Sequence, residues 1–285
     1  ALTSGSDNIA IGYAALSTED VRGRCIAIGT SALSSQNAGA NTYNVAIGYN
    51  ALTAATLGLR NIAVGGYAGV AITEGDDNIA IGHGALNAED GGNRSVAIGS
   101  YSLYVQDSTD TNSNVAVGYN TGKAVTSGIQ NTFIGAEAGN VFTTGENVTA
   151  LGYSAQPSAV GVDDEITLGN GNIATLRCQV NTITLLSDER DKTDIQDIDY
   201  GLDLIENLRP RKFTWDSRDG AKQGQKEIGF IAQELQEVDD EYLNFVLDSN
   251  PDRLEAGWMQ LVPVLVKAVQ ELSAEVKELK QQLNN

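Results

Sequence analysis

Cysteine and histidine are nearly absent: the 285 residues hold two cysteines, Cys25 and Cys178, and one histidine, His83. Two cysteines are too few for a disulfide framework, and neither stands in a metal-ligand spacing, so both are expected as small buried side chains. A single histidine excludes a His-based triad or a multi-His metal site within one chain. His83 directly follows a repeat glycine, where other copies carry Tyr13, Tyr49 and Tyr119, and is expected on the surface. No apolar run approaches the length that spans a bilayer, so no membrane insertion is expected. Basic residues are also scarce, 18 against 37 acidic, for a net charge of −19. They form no stripe, so the cations that displace counterions from a phosphate backbone are missing and nucleic acid is not an expected partner. No phosphate loop, dinucleotide fingerprint in a strand-to-helix setting or calcium-binding nonapeptide occurs, and no cofactor or metal is expected.

What is present falls into two halves. Residues 1–186 hold 26 of the 31 glycines with 15 acidic and 6 basic residues; residues 187–285 hold 5 glycines with 22 acidic and 12 basic. A Gly/Asn/Ala/Thr-rich, weakly charged segment thus precedes a charged one with helical patterning.

The first half is a repeat. NIAIG (8–12), CIAIG (25–29), NVAIG (44–48), NIAVG (61–65), NIAIG (78–82), SVAIG (95–99), NVAVG (114–118) and NTFIG (131–135) recur, with weaker copies VTALG (148–152) and EITLG (165–169). The closing glycines follow one another at 17, 19, 17, 17, 17, 19, 17, 17 and 17 residues. Side chains alternate along a strand, so Ile9 and Ile11 share one face and Ala10 takes the other. The bulky branched face is expected inside the coil. The alanine column is expected outside, where its apolar character calls for a second chain. The glycine after each strand is expected to supply a positive φ or a close backbone approach. A second small/apolar pair follows: Ala15-Leu16, Ala32-Leu33, Ala51-Leu52 and Ala85-Leu86, with Gly as its second member in Ala68-Gly69 and Ala138-Gly139. The two longer intervals carry their extra residues in polar turns, at 34–43 and 104–113, leaving the strand unchanged. Asn8, Asn44, Asn61, Asn78, Asn114 and Asn131 precede the strand and are placed to form an amide ladder or satisfy turn backbone. One unit per period stacked on its neighbours is a solenoid. The pattern resembles the β-roll heads of trimeric autotransporter adhesins and the AIG-repeat shafts of phage tail fibres and neck appendages. That resemblance implies a trimeric, mainly β architecture.

Beyond the repeats, NIATLRCQVNTITLL (172–186) reads as an alternating strand leading out of the solenoid. Ser187 is then followed by Lys192. A lysine desolvated enough to be neutral can take a serine proton and free the oxygen to attack a carbonyl; a solvated surface pair, or an N-cap at Ser187, is the plainer alternative. The order SDERDK (187–192), YGLDLIENLRPRKFTWD (200–216), EIGFIAQELQEV (227–238) and a C-terminal coiled coil resembles the self-cleaving intramolecular chaperone of phage tail fibres, tailspikes and endosialidases. The same domain type occurs in a membrane-bound transcription factor of animals. The resemblance spans 187–285. It implies that Ser187 and Lys192 are the catalytic dyad, that Asp188 and Arg190 complete the surrounding pattern, and that the scissile bond is Ser187–Asp188 or its immediate neighbour.

The tail carries its own oligomerisation signal. Val262, Leu265, Val269, Leu272, Val276, Leu279 and Leu283 alternate in steps of three and four, an a/d seam flanked by Glu271, Lys277, Glu278 and Lys280. Val at a with Leu at d favours two strands, whereas the resemblance implies three; an amphipathic helix packed on its own domain is the other reading.

The expected organisation is a β-solenoid at 1–171, a β-linker at 172–186, and a chaperone and autoprotease domain at 187–285, with a coiled coil from about residue 258. The expected function is the distal part of a viral tail fibre or spike: a homotrimer that attaches to a host cell-surface glycan or protein and is assembled by a domain that then cuts itself away. The alternatives are a bacterial trimeric adhesin head, which would need a C-terminal membrane-anchor barrel where this sequence shows a coiled coil closing on QQLNN, and a glycan depolymerase built on the solenoid. An animal transcription-factor precursor would need an upstream DNA-binding domain and a downstream membrane helix.

Overall fold

The computed structural model describes residues 7–18, 23–108, 111–173, 175–179, 187–218, 220, 222–257 and 259–284. The chain divides into two compact units, Ala1–Asn170 and Gly171–Asn285.

The first unit is a parallel β-solenoid. Its ten three-residue strands are β1 (Ile9–Ile11), β2 (Ile26–Ile28), β3 (Val45–Ile47), β4 (Ile62–Val64), β5 (Ile79–Ile81), β6 (Val96–Ile98), β7 (Val115–Val117), β8 (Thr132–Ile134), β9 (Thr149–Leu151) and β10 (Ile166–Leu168). They pair in sequence order in one sheet, each with the next coil and in register, Ala27 against Ala46 and Ala46 against Ala63. Register also holds across the longer intervals, Ile26 against Val45 and Val96 against Val115, so the extra residues are absorbed by the turns.

Each strand ends on a glycine for two separate reasons. Gly48 has φ +142°, a conformation that L side chains rarely adopt, and a Cβ placed there would stand 2.4 Å from the carbonyl oxygen of Gly65 in the next coil. On the other side of the strand the asparagines form a ladder that also satisfies the turns. The Asn44 side-chain oxygen accepts from Asn61 N (2.8 Å), and its amide donates to Gly58 O (2.7 Å). Asn61, Asn78, Asn114 and Asn131 repeat both bonds one coil further on each time. Buried backbone donors and carbonyls at the turn are thereby paired at each of these five asparagines.

The two faces of the sheet are the reverse of the sequence expectation. The central alanines, Ala27, Ala46, Ala63, Ala80, Ala97, Ala116 and Ala150, are buried in the core. The flanking Ile and Val side chains point outward, half-buried or exposed, with Ile62 at 37% and Ile134 at 43% exposed. The reason is the bore of the coil. Leu16, Leu33, Leu52, Leu86 and Leu103 fill it from the opposite wall and leave room only for a methyl group on the strand side. Volume is traded within the coil. Where Phe133 stands in the alanine column, Gly122 and Gly139 stand in the leucine column, and a Cβ on Gly139 would lie 2.6 Å from the Phe133 ring. At Gly69 the gap is taken by Ile72, whose terminal methyl lies 3.0 Å from where a Cβ would be. Constant volume at high density is what a packed interior requires.

Polar residues enter this core at the long turns. Gln36 and Gln106 occupy equivalent places, each accepting from the asparagine eight residues on, Asn44 (2.6 Å) and Asn114 (2.8 Å). Beside Gln106 lies Glu89, fully buried; its carboxylate accepts from Gln106 (2.6 Å), Asn112 (2.7 Å) and Gly92 N (2.7 Å). Burial pushes the Glu89 carboxyl up, against the pull of these donors.

Two further expectations are corrected. Cys25 is buried, but Cys178 is exposed. Residues 175–179 form no strand, and no strand among the described residues lies beside them to pair with; 180–186, the rest of the expected β-linker, lie outside the described residues.

The second unit is small and α+β. A 3-10 turn (Glu189–Asp191) precedes α1 (Leu202–Asn207), the antiparallel hairpin β11 (Arg211–Asp216) and β12 (Gln223–Gly229), α2 (Ala232–Leu235), the short pair β13 (Val246–Leu247) and β14 (Glu255–Ala256), and α3 (Leu261–Leu283). Its core gathers Leu235, Leu243, Phe245, Leu261 and Val264, with Tyr200, Leu204, Ile205 and Phe230 against it. Only Leu261, Val264 and Ala268 of α3 are buried. The heptad seam from Val262 to Leu283 lies on another face and is exposed, so it does not serve to pack α3 on its own unit.

Candidate functional site

The segment from Ser187 to Lys192 is a tight turn with a built clamp. Asp188 caps the 3-10 turn, its carboxylate accepting from Arg190 N at 2.9 Å. The same carboxylate takes two bonds from the Arg190 guanidinium, at 3.0 and 2.6 Å, a bidentate pair. That side-chain bond, then the backbone bond, holds the Asp188 carboxyl below the usual carboxylate range. Asp191 N and Lys192 N close the turn on Asp188 O and Glu189 O, both at 3.2 Å. The chain is thereby folded back so that Lys192 Nζ donates to Ser187 Oγ at 2.5 Å. The five-residue spacing is the reach of one capped turn, and Asp188 and Arg190 set its shape.

Ser187 through Lys192 are exposed in the single chain. The unit has surface depressions of about 660 Å³ over the β11–β12 hairpin and about 470 Å³ between Asp194–Tyr200 and the start of α3, and neither includes Ser187 or Lys192. Among the described residues no group of three or more His, Cys, Asp or Glu is placed to hold a metal ion, and no helix is long and apolar enough to cross a membrane.

The remaining motif residues hold the scaffold. Arg211 of β11 pairs with Glu234 of α2, with Arg Nε 2.9 Å from the carboxylate, and Glu234 is thereby lowered and Arg211 raised. The Tyr200 hydroxyl donates to Asp240; the tyrosine is pushed up to about 12 by that bond, and Asp240 is lowered. Glu271 has a role that the sequence did not reveal. It was read as a flank of the heptad seam, yet its carboxylate accepts from Leu202 N at 2.7 Å and so caps α1 from α3. A Cβ on Gly201 would stand 2.1 Å from that carboxylate, which explains the glycine in YGLDLI. Sixty-nine residues separate the partners, and no local spacing could have signalled them.

The family model described as chaperone of endosialidase, of the peptidase S74 type, matches residues 187–244, beginning at Ser187. A similar curated protein is the uncharacterized protein VP1 of Micromonas pusilla reovirus (isolate Netherlands/2005), 34% identical over 97 residues. The match covers 31% of this chain and about 5% of the length of that relative. No solved structure matches the chain. Residues 187–244 match the endosialidase-chaperone family and follow a parallel β-solenoid in the sequence, an order consistent with a phage tailspike or tail-fibre protein carrying a C-terminal chaperone.

Proposed function

We propose that this chain is the distal part of a viral tail fibre or spike, a homotrimer that attaches to a host-surface glycan or protein and whose C-terminal unit directs assembly and then releases itself. The observation that carries the reading is the 2.5 Å contact between Lys192 Nζ and Ser187 Oγ at the first residue of the chaperone match. In the reaction a neutral Lys192 amine takes the Ser187 proton and Oγ adds to a neighbouring carbonyl. The departing amide nitrogen takes the proton back, and water hydrolyses the ester left behind. Attack on the carbonyl of Ser187 itself would close a four-membered ring, whereas attack on that of Leu186 closes a five-membered one. Of the two candidate bonds, attack within one chain therefore favours Leu186–Ser187. Lys192 is exposed here and needs desolvation to act as a base, which packing of further copies around the turn would supply.

Two uncovered apolar faces support a trimer: the outward Ile/Val column of β1–β10 and the exposed seam of α3. With the alanine column turned inward, the Ile/Val column takes over as the surface between chains. The fibre is the part retained on the virion, and the cut chaperone is lost.

Denaturing electrophoresis with mass spectrometry of wild type beside Ser187→Ala and Lys192→Ala tests the reading. Wild type should give a large fragment ending at Leu186 and a small one starting at Ser187, and both variants should stay whole. A folded wild-type chain that stays whole sinks the protease, and a monomer mass for Ser187→Ala by light scattering sinks the trimer.

A further inference from the structure

The two positions after each corner glycine carry a pattern that neither the core nor the chaperone explains. In five consecutive coils they read Tyr49-Asn50, Gly66-Tyr67, His83-Gly84, Ser100-Tyr101 and Tyr119-Asn120. Each coil holds one aromatic ring, the ring alternates between the first and second position, and the other position is Gly, Ser or Asn. The alternation sets successive rings edge to face: Tyr49–Tyr67 at 5.3 Å, Tyr67–His83 at 5.7 Å, His83–Tyr101 at 5.4 Å and Tyr101–Tyr119 at 6.5 Å between centroids. Tyr101 is half-buried, with the Tyr104 ring 5.4 Å from it between centroids, while the ends of the band stay open. A Cβ on Gly84 would reach the Tyr101 and Tyr104 rings at 3.3 Å, and Tyr49 and Tyr119 remain 52% exposed. The result is one continuous aromatic band along the solenoid, separated from the Ile/Val column by the row of corner glycines.

We propose that this band is a binding site for a neutral, linear hexose glycan, which deepens the host-attachment reading above and rests on it. Each coil advances the band by about 4.8 Å, the spacing of adjacent β-strands, close to the length of one pyranose unit along an extended chain. A sugar presents an apolar C–H face to a ring and its hydroxyls to the side, and Tyr offers the matching combination of an apolar body and a polar rim. Asn50 and Ser100, next to Tyr49 and Tyr101 in the sequence, add an amide and a hydroxyl as donors and acceptors. The charge argument selects a neutral chain. Lys123 over Tyr101, at 5.8 Å, is the one cation set on the band among the described residues, while residues 1–186 carry 15 acidic against 6 basic residues, so an anionic polysaccharide would be repelled. A protein partner would bury a compact patch of mixed shape, which a strip one ring wide does not offer.

The test is binding of the intact fibre to an immobilised series of neutral glucan, mannan and galactan oligomers of increasing length. Wild type should bind at least one series, with a signal that grows with length until the band is spanned. Tyr49→Ala with Tyr119→Ala, at the exposed ends of the band, should weaken binding about tenfold, some 1.4 kcal/mol, and cut the length dependence short. Tyr49→Phe with Tyr119→Phe, which keeps the stacking faces, should retain most of it. The proposal is overturned if wild type holds no neutral oligomer, if the alanine pair binds as wild type does, or if that pair falls apart into single chains, which would make the band a contact between copies. A wild-type fibre that attaches to host cells yet ignores every oligomer overturns the glycan inference and leaves the attachment reading standing.

Discussion

Glu89 is the one charged side chain wholly buried in the solenoid core among the described residues. Its carboxyl is raised above the ordinary 4.5, first by burial. A group whose folded pKa exceeds its unfolded one contributes stability that is fully present below the unfolded value and lost as pH rises through the folded one. The solenoid should therefore lose stability as pH rises from about 4.5 toward neutrality. Glu89→Gln should remove that dependence, although its new amide also faces the Gln106 amide that donated to the carboxylate. The unpaired Asn112 side-chain oxygen can receive the new amide if Asn112 flips. Denaturant melts of wild type and variant across pH, converging at the acid end, check this. A second test lies in the traded volumes. Phe133→Ala alone should cost about 3–5 kcal/mol, and Gly139→Leu alone should also destabilise by overpacking against the Phe133 ring. The double variant restores the Ala/Leu combination of the other coils and should recover much of the loss, a coupling that a double-mutant cycle reads directly. The same residues explain where sequence reading fell short. Alternation shows which side chains share a face but not which face is inside, and hydrophobicity favoured Ile over Ala. The signal that decides it was present, since Phe replaces Ala only where Gly replaces Leu on the opposite wall.

At the scale of elements, strands, corners and ladder were legible because strands and corner glycines recur ten times and the ladder asparagine six times in one frame, so every reading was repeated along the chain. The Ser187–Lys192 turn was legible for a different reason, its partners lying within one capped turn. What was hidden is what crosses between elements. Gly201 and Glu271 join α1 to α3 and are predicted to act as a unit. Gly201→Ala drives a methyl group into the Glu271 carboxylate, and Glu271→Ala removes the cap on Leu202 N. Each should destabilise the second unit by about 1–2 kcal/mol. Their combination should cost little more than the worse of the two, because both break the same junction. Chemical denaturation of the Ser187→Ala chain, followed by the fluorescence of Trp215 in β11, would report the three values together.

For the whole molecule, the same apolar faces that a single chain leaves open give a way to separate folding from assembly. Ile62 and Ile81 lie partly exposed on the outward column, where a polar change in a lone chain should cost within about 0.5 kcal/mol. Ile62→Asp with Ile81→Asp should thus leave the coils formed by circular dichroism yet lower the mass in light scattering from trimer to monomer. A normal trimer would show that the column is not the surface between chains. The order of events follows from topology. Parallel strands seventeen or nineteen residues apart in sequence repeat with near-identical register, so three chains meeting along these coils, as proposed, could slip by one coil and still bury most of the same surface. A terminal unit that joins the chains first raises their local concentration and sets one register. On the proposed function, cutting at Ser187 would then remove the unit that specifies it and make unfolding irreversible in practice. The expected result is an asymmetry in refolding. After denaturation and dilution, the uncut Ser187→Ala trimer should return to its original mass, while the cleaved wild-type fibre should give monomers and mixed aggregates. Equal recovery of both would remove register-setting as the purpose of the second unit, even with cleavage and trimerisation intact.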